Sequence, residues 1–282
     1  MNKTKKILGA LLALTMTFAV AGCSSKKSEG DKATKKIVIG VCPGPYGDMV
    51  KKAIAPALEK KGYKVTTKEF SDYVLPDKAL ANKEIDANLF QHTAYLNKFA
   101  KDNNLSISPV ISVPTAGMGI FSNKIKSLDD LKDGAQVAIP NDASNLARAL
   151  TLLQVQGLIK IKADIDQTKA TEKDVTENKK NLKFVAVEAA QLPRTLDSVD
   201  IAVITGNFAI ASGLDLSKAL KTEKLAENYK NVVAVRTEDL DKQLGKDLKE
   251  AVQSKEFRDA IEDPKGIFKS FDKPEWYTNN SK

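Results

Sequence analysis

Beyond the first three dozen residues, short apolar runs rich in Val and Ile alternate with stretches whose apolar positions recur every three to four residues. The runs are KIVIGV, YKVTTKEF, EIDANLF, SPVISV, GMGIFS, AQVAIP, LKFVAVEA, DIAVITG and NVVAVR. Successive side chains of a strand point to opposite faces, and compact β-branched runs bounded by Gly, Pro, Asn and Asp predict strands. Between most of them, segments 48–61, 93–101, 142–156 and 239–253 carry helical periodicity, and a further helix begins at Pro76 or Asp77. This alternation predicts an α/β fold with largely parallel sheets. Such sheets gather functional loops beyond the carboxyl ends of their strands. The unusual stretches sit there: VCPGPYGD after the first run, FQHTAY after the third, IPNDASN after the sixth and TGNFA after the eighth. Nothing repeats at a fixed period.

The start of the chain has a different pattern. Lys3, Lys5 and Lys6 precede an apolar run from Ile7 to Val20, too short to span a bilayer with ease, and this reads as a secretory signal over residues 1–22. Val20-Ala21-Gly22-Cys23 resembles the bacterial lipobox, in which small residues position the cut and the Cys thiol receives a diacylglyceryl group. Cys23 is therefore expected to be the lipidated mature N-terminus, with acyl chains such as palmitate holding it to the extracytoplasmic face of the cell membrane. Residues 23–36, small and charged without apolar periodicity, read as a flexible tether.

Charge narrows the partners. The chain carries +8, and loss of the three leader lysines leaves +5. No Lys/Arg run is interleaved with aromatics, so no case for nucleic acid arises. With Cys23 lipidated, Cys42 is the one thiol left, and packing rather than an intramolecular disulfide must stabilise the fold.

In IPNDASNLARAL, at about 100° per residue, Asn141, Asn145 and Arg148 fall within roughly 60° of one another, while Leu146, Ala147, Leu150 and Leu153 cover the opposite side. The polar stripe is either a solvated face or an anion site, since free N–H groups at a helix start and a fork-shaped Arg suit a carboxylate or phosphate. The turn Cys42-Pro43-Gly44-Pro45-Tyr46-Gly47-Asp48 lacks P-loop spacing, and its prolines remove N–H donors; it is a plain turn or a cleft lining. His92, the one histidine, has no second His or Cys at metal-ligand spacing and no GxSxG elbow to serve. It is either a satisfied structural histidine or, with Phe90, Tyr95 and Tyr73, the wall of an apolar slot with a polar handle. A lipid-anchored hydrolase would need a nucleophile with a base, and Ser144 near Arg148 has none in sequence. A surface adhesin is the third class, and ligand carried through purification separates it from a receptor.

Several stretches together resemble one family. DANLFQHTAYL, KIKSLDDLKDGAQVAIPNDASNLARALTLLQVQGLIKI, NLKFVAVEAAQLPRTLDSVDIAVITGNFAIASGL and the lipobox are similar to the NlpA-type methionine-binding lipoproteins, extracytoplasmic receptors of ABC importers. The resemblance implies a bilobed periplasmic-binding-protein-like α/β fold with a two-stretch hinge. Residues 37–121 with 234–282 would form lobe 1 and residues 122–233 lobe 2. It implies that Tyr73, Phe90, His92 and Tyr95 form the side-chain pocket, and that Asn141, Asn145 and Arg148 hold the α-carboxylate of L-methionine. The implied partners are an amino acid and the importer permease. No catalytic residue, metal or cofactor is implied.

The chain also departs from the family. Where methionine-binding members commonly have Asn in a pattern like AVIN-x-x-YA, this chain has Thr205 in AVITGNFA, with Asn207 two positions on. An altered ammonium contact leaves room for a methionine-containing dipeptide or another amino acid. On the stripe geometry, loss of Arg148 is expected to remove binding with little effect on stability. The lipobox generates a direct expectation: Cys23→Ser releases the protein from membranes in cell fractionation without changing ligand affinity, and persistent membrane association would show that the anchor lies elsewhere.

Overall fold

The computed structural model describes residues 35–279; the leader, Cys23 and most of the tether lie outside the described residues. All nine apolar runs form strands. In chain order the strands are β1 (Lys35–Val41), β2 (Tyr63–Glu69), β3 (Ala87–His92), β4 (Ile107–Ser112), β5 (Gly119–Phe121), β6 (Gln136–Pro140), β7 (Ile159–Ile161), β8 (Val175–Asn178), β9 (Lys183–Val187), β10 (Ile201–Ile204), β11 (Lys221–Thr222) and β12 (Asn231–Arg236). The unexpected three, β7, β8 and β11, have two to four residues each, too few to carry a period.

The strands form two five-stranded sheets, ordered β2-β1-β3-β12-β4 and β11-β5-β10-β6-β9, and β7 pairs with β8 alone. The expectation of largely parallel sheets is corrected. Pairs β1–β2, β1–β3, β6–β9 and β6–β10 are parallel, but β3–β12, β4–β12, β5–β10 and β5–β11 are antiparallel. The exceptions arise where the chain changes sheets. β5 is the first strand after the outward crossing and β12 the first after the return, and each runs against the strands it joins. Strand pairing puts these crossings at residues 113–118 and 223–230. A boundary at 121/122 or 233/234 would instead leave β5 with the wrong sheet and cut β12.

Period-two alternation decides what each face packs. In β1 and β12, Ile37, Ile39, Val41, Val233 and Val235 join one cluster with Met49, Leu58, Leu248 and Phe257 from helices on that face. Their neighbours Val38, Val232 and Ala234 turn to the other face with Leu80, Ile85 and Leu96. In the second sheet Val137, Ile139, Ile201 and Val203 pack on the helix Ala143–Val155, while Ala138, Ala202 and Ile204 face Leu192, Phe208 and the aromatic residues near β3. The helical stretch begun at Tyr46 includes a π-turn at Val50–Ile54 just before Pro56, whose missing N–H cannot continue the regular ladder.

Phe257, fully buried, ties the helix Lys255–Ile261 to the first sheet from a position remote from the crossings. Phe257→Ala is expected to lower the unfolding free energy in urea by about 3–5 kcal/mol. A loss below about 1 kcal/mol would show that the site collapses without a cavity.

Candidate functional site

The carboxyl ends of β1, β3, β6 and β10 converge, and the side chains beyond them enclose one cavity of about 340 Å3, counting its mouth. β3 ends on His92, which caps the next helix, Thr93–Asn103. Its Nδ1 accepts the Tyr95 N–H at 3.0 Å, so in the neutral ring Nε2 carries the proton and donates to Asn145 Oδ1 at 3.1 Å. Burial first, then the positive charge of Arg148, lowers the His92 pKa to about 3, against the opposing Asn145 bond. The imidazole is neutral and its tautomer is set. This answers both readings of the histidine, because it caps a helix and also lines the cavity.

Beside it stands a group of rings. Tyr73 stacks on Phe90 with centroids 5.8 Å apart, meets the edge of Tyr95 at 5.7 Å, and lies 5.0 Å from Phe208, which follows β10 of the other sheet. The Tyr95 hydroxyl donates to the Tyr73 carbonyl at 3.1 Å, fixing the loop that carries Tyr73. These faces are apolar and polarisable, suited to a flexible side chain containing sulfur.

The opposite wall is charged and hydrogen-bonded. Asp142 caps the helix Ala143–Val155, its Oδ1 accepting the Asn145 N–H at 3.0 Å. One turn on, Arg148 is 95 % buried, so the stripe is no solvated face. Its Nε donates to Glu223 Oε2 at 2.7 Å, Nη2 donates to Glu223 Oε1, and Nη1 donates to Asn145 Oδ1 at 3.2 Å. The Tyr229 ring lies 5.2 Å from the guanidinium carbon. Of the five guanidinium N–H groups, two remain without a partner among the described residues. The expectation that loss of Arg148 leaves stability nearly unchanged is therefore corrected, since Glu223 would lose its guanidinium partner and keep a largely buried charge with the Met118 N–H still donating to Oε1.

Tyr73 also joins elements of the two sheets. It donates to Asn207 Oδ1 at 2.6 Å, so the Thr205 hydroxyl, 3.0 Å away, donates to Tyr73. Asn207 Nδ2 reaches the Pro43 carbonyl at 3.1 Å. The turn there needs Gly44: its φ is +122°, and a Cβ would lie 2.6 Å from the Asn207 carbonyl oxygen. The VCPGPYGD turn thus lines the cleft, with Tyr46 among the lining residues.

Eight of the nine expected residues, Tyr73, Phe90, His92, Tyr95, Asn145, Arg148, Thr205 and Asn207, line this cavity. Asn141 does not: it is exposed, and its N–H pairs with the Val187 carbonyl as a continuation of the sheet. It precedes the cap Asp142, so the helical angle never applied to it. Sequence reasoning missed Gln91, Thr115, Asn231 and Glu223. Asn231 had a signal, a polar residue heading NVVAVR, and its Nδ2 holds the Phe90 carbonyl at 2.9 Å. Glu223 in KTEK had none, because a charged stretch reads as surface. Among the described residues, no group of three His, Cys, Asp or Glu side chains is placed to hold a metal, and no helix is long and apolar enough to cross a membrane.

Residues 37–276 match the model of the NlpA lipoprotein family. The D-methionine-binding lipoprotein MetQ of Salmonella typhi is 41 % identical over 261 residues, covering 90 % of this chain and 93 % of that one. Its counterpart in Escherichia coli strain K12 is 40 % identical over the same length and shares. Among solved structures, a nutrient-binding protein from Burkholderia cenocepacia bound to methionine superposes with a TM-score of 0.78 at 42 % identity, covering 83 % of this chain and 97 % of that one.

The buried neutral imidazole makes stability depend on pH with a definite sign. The folded pKa of His92 lies below its unfolded value of about 6.5, so the unfolded chain binds the extra proton first and stability falls as pH drops from there toward 3. Urea unfolding of His92→Gln, which keeps a hydrogen-bonding side chain without the titration, is expected to show a shallower acid slope than wild type; equal slopes would assign the loss to carboxylates alone.

Proposed function

The chain belongs to the NlpA lipoprotein family, and from that premise we propose that it is a lipid-anchored, extracytoplasmic receptor that binds methionine between its two sheets and presents it to an ABC importer. The observation that carries the reading is the single cavity in which an aromatic slot faces a buried guanidinium with N–H groups to spare. The thioether would pack on Tyr73, Phe90 and Tyr95, each sulfur–ring contact contributing about 0.3–1.5 kcal/mol. The carboxylate would take the remaining Arg148 N–H groups.

Charge balance supports an amino acid rather than a simple anion. Glu223 already offsets Arg148, and His92 is neutral, so a zwitterion enters without adding net charge to a buried site. Oxygen acceptors for its ammonium group stand at Thr205, whose hydroxyl donates to Tyr73 and keeps its lone pairs, and at Asn207 Oδ1 if Tyr73 yields it. The L-enantiomer is the working ligand, while the relatives named above carry D-methionine in their names.

Binding would work by closure. A ligand that satisfies both walls stabilises the state in which elements of the two sheets touch, and that shape is what a permease would recognise. Our proposed lobes follow the two sheets, residues 37–112 with 231–282 and residues 119–222, in place of boundaries at 121/122 and 233/234, with the crossings in the loops 113–118 and 223–230. No bond in the ligand changes.

Arg148→Ala is expected to cost about 2–5 kcal/mol of methionine binding. It should also lose about 3–5 kcal/mol of stability, because Glu223 is left charged and buried. Pairing it with Glu223→Gln should recover much of the stability and none of the affinity. Calorimetric titration of ligand-stripped protein with L-methionine, D-methionine, glycyl-methionine and glutamine tests the assignment. Affinity of the single variant within a factor of a few of wild type sinks the clamp; no heat from any methionine compound sinks the ligand class.

A further inference from the structure

The return crossing and the first residue of β12 send three side chains to the site. Glu223 pairs with Arg148, and Asn231 lines the cavity and holds the Phe90 carbonyl. Between them in sequence is Tyr229, half-buried at the end of the short turn Glu227–Tyr229. Its hydroxyl makes no hydrogen bond among the described residues, so the ring itself is what this residue brings.

That ring meets two groups carried by different sheets. The Arg148 guanidinium carbon, from the helix packed on the second sheet, lies over it at 5.2 Å, inside the roughly 6 Å reach of a cation–π contact. His92, at the end of β3 in the first sheet, has its ring centroid 5.2 Å away with the two planes at 87°. Asn145 joins the same two groups by hydrogen bonds, and Tyr229 joins them by ring contact from a third segment. Tyr229 does not line the cavity, so it acts on a ligand only through Arg148 and His92.

The shape of a guanidinium says what a ring at that position does. Its five N–H groups lie in one plane, so hydrogen bonds hold its edges and none holds its face. Glu223 takes Nε and Nη2, and Asn145 takes Nη1, which leaves one N–H on each Nη. Over the face, an aromatic ring attracts the cation where an aliphatic side chain only fills space. With edges bonded and face covered, the plane has one orientation, and the two remaining N–H groups keep one direction.

We propose that Tyr229 is a positioning residue of the binding site: its ring holds the Arg148 guanidinium plane so that the two remaining N–H groups meet a ligand carboxylate as a pair. Its place in the return crossing ties that orientation to the hinge. The inference rests on the methionine reading only for its binding probe.

Calorimetric titration of the full chain with L-methionine compares wild type, Tyr229→Phe and Tyr229→Leu. Phe keeps the aromatic face and drops the hydroxyl, whereas Leu keeps apolar bulk and drops the face. Tyr229→Leu is expected to weaken binding about five- to thirtyfold, the range between an exposed and a desolvated cation–π contact, while Tyr229→Phe stays within about twofold of wild type. Leu binding as tightly as Phe, or Phe as weakly as Leu, overturns the proposal. Urea unfolding supplies a test without ligand. Tyr229→Leu is made in wild type and again beside Arg148→Met with Glu223→Gln, a background that removes both buried charges together. Its effect on the unfolding equilibrium constant is expected to be at least about fivefold larger with the guanidinium present. Equal effects in the two backgrounds overturn the proposal. If methionine gives no heat with wild type while the unfolding effects differ as described, the ligand assignment falls and the positioning of Arg148 by Tyr229 stands.

Discussion

A guanidinium with only 5 % of its surface exposed must be surrounded by acceptors, and the site is organised by how Arg148 meets that demand. Glu223 supplies two oxygens from the loop that returns toward the first sheet, and Asn145 supplies a third from the preceding helical turn. Because Asn145 Oδ1 faces the guanidinium, it can also receive the proton of His92 from the other sheet. That bond fixes the tautomer, which lets the imidazole cap the helix behind it. A chain of single hydrogen bonds therefore runs from the return crossing, through the arginine, to the aromatic wall.

The same demand keeps the cavity close to electrically neutral. Arginine and glutamate offset each other, His92 is held uncharged by burial, and burial also keeps the Tyr73 and Tyr95 phenols protonated. Buried groups of this kind favour a ligand whose own charges are paired and disfavour a lone ion, whose desolvation would be uncompensated. The aromatic faces then discriminate among zwitterions by side chain.

Contacts between elements of the two sheets around the cavity are mainly neutral and singly bonded: His92 to Asn145, Tyr73 to Thr205 and Asn207, and Asn207 to Pro43. Each contributes about 0.5–1.5 kcal/mol, small enough for ligand bonds to replace. Gly44 allows the backbone approach that brings Pro43 to Asn207. Rigidity comes instead from the core clusters behind each sheet, where alternate residues of β1, β12, β6 and β10 are buried on both faces.

Local physics made much of this legible in the amino-acid sequence. Strand runs and helices follow from side-chain periodicity, and loops at strand ends converge because parallel strands point the same way, so Tyr73, His92, Asn145 and Arg148 were readable as candidates, while Thr205 was singled out only by the family resemblance. Periodicity does not record which strand lies beside which. Sheet order was decided only by packing, and with it the antiparallel entries of β5 and β12, the place of Asn231 at the cavity, and the exclusion of Asn141, which belongs to the sheet edge and not to the helix. Nor does a one-dimensional pattern show where a charge ends up. Glu223 lies 75 residues beyond Arg148 in a lysine-rich stretch that reads as surface, and only the return of the chain toward the first sheet brings the two together and buries both. Pairing of buried charges depends on distance in space, to which spacing along the chain is no guide.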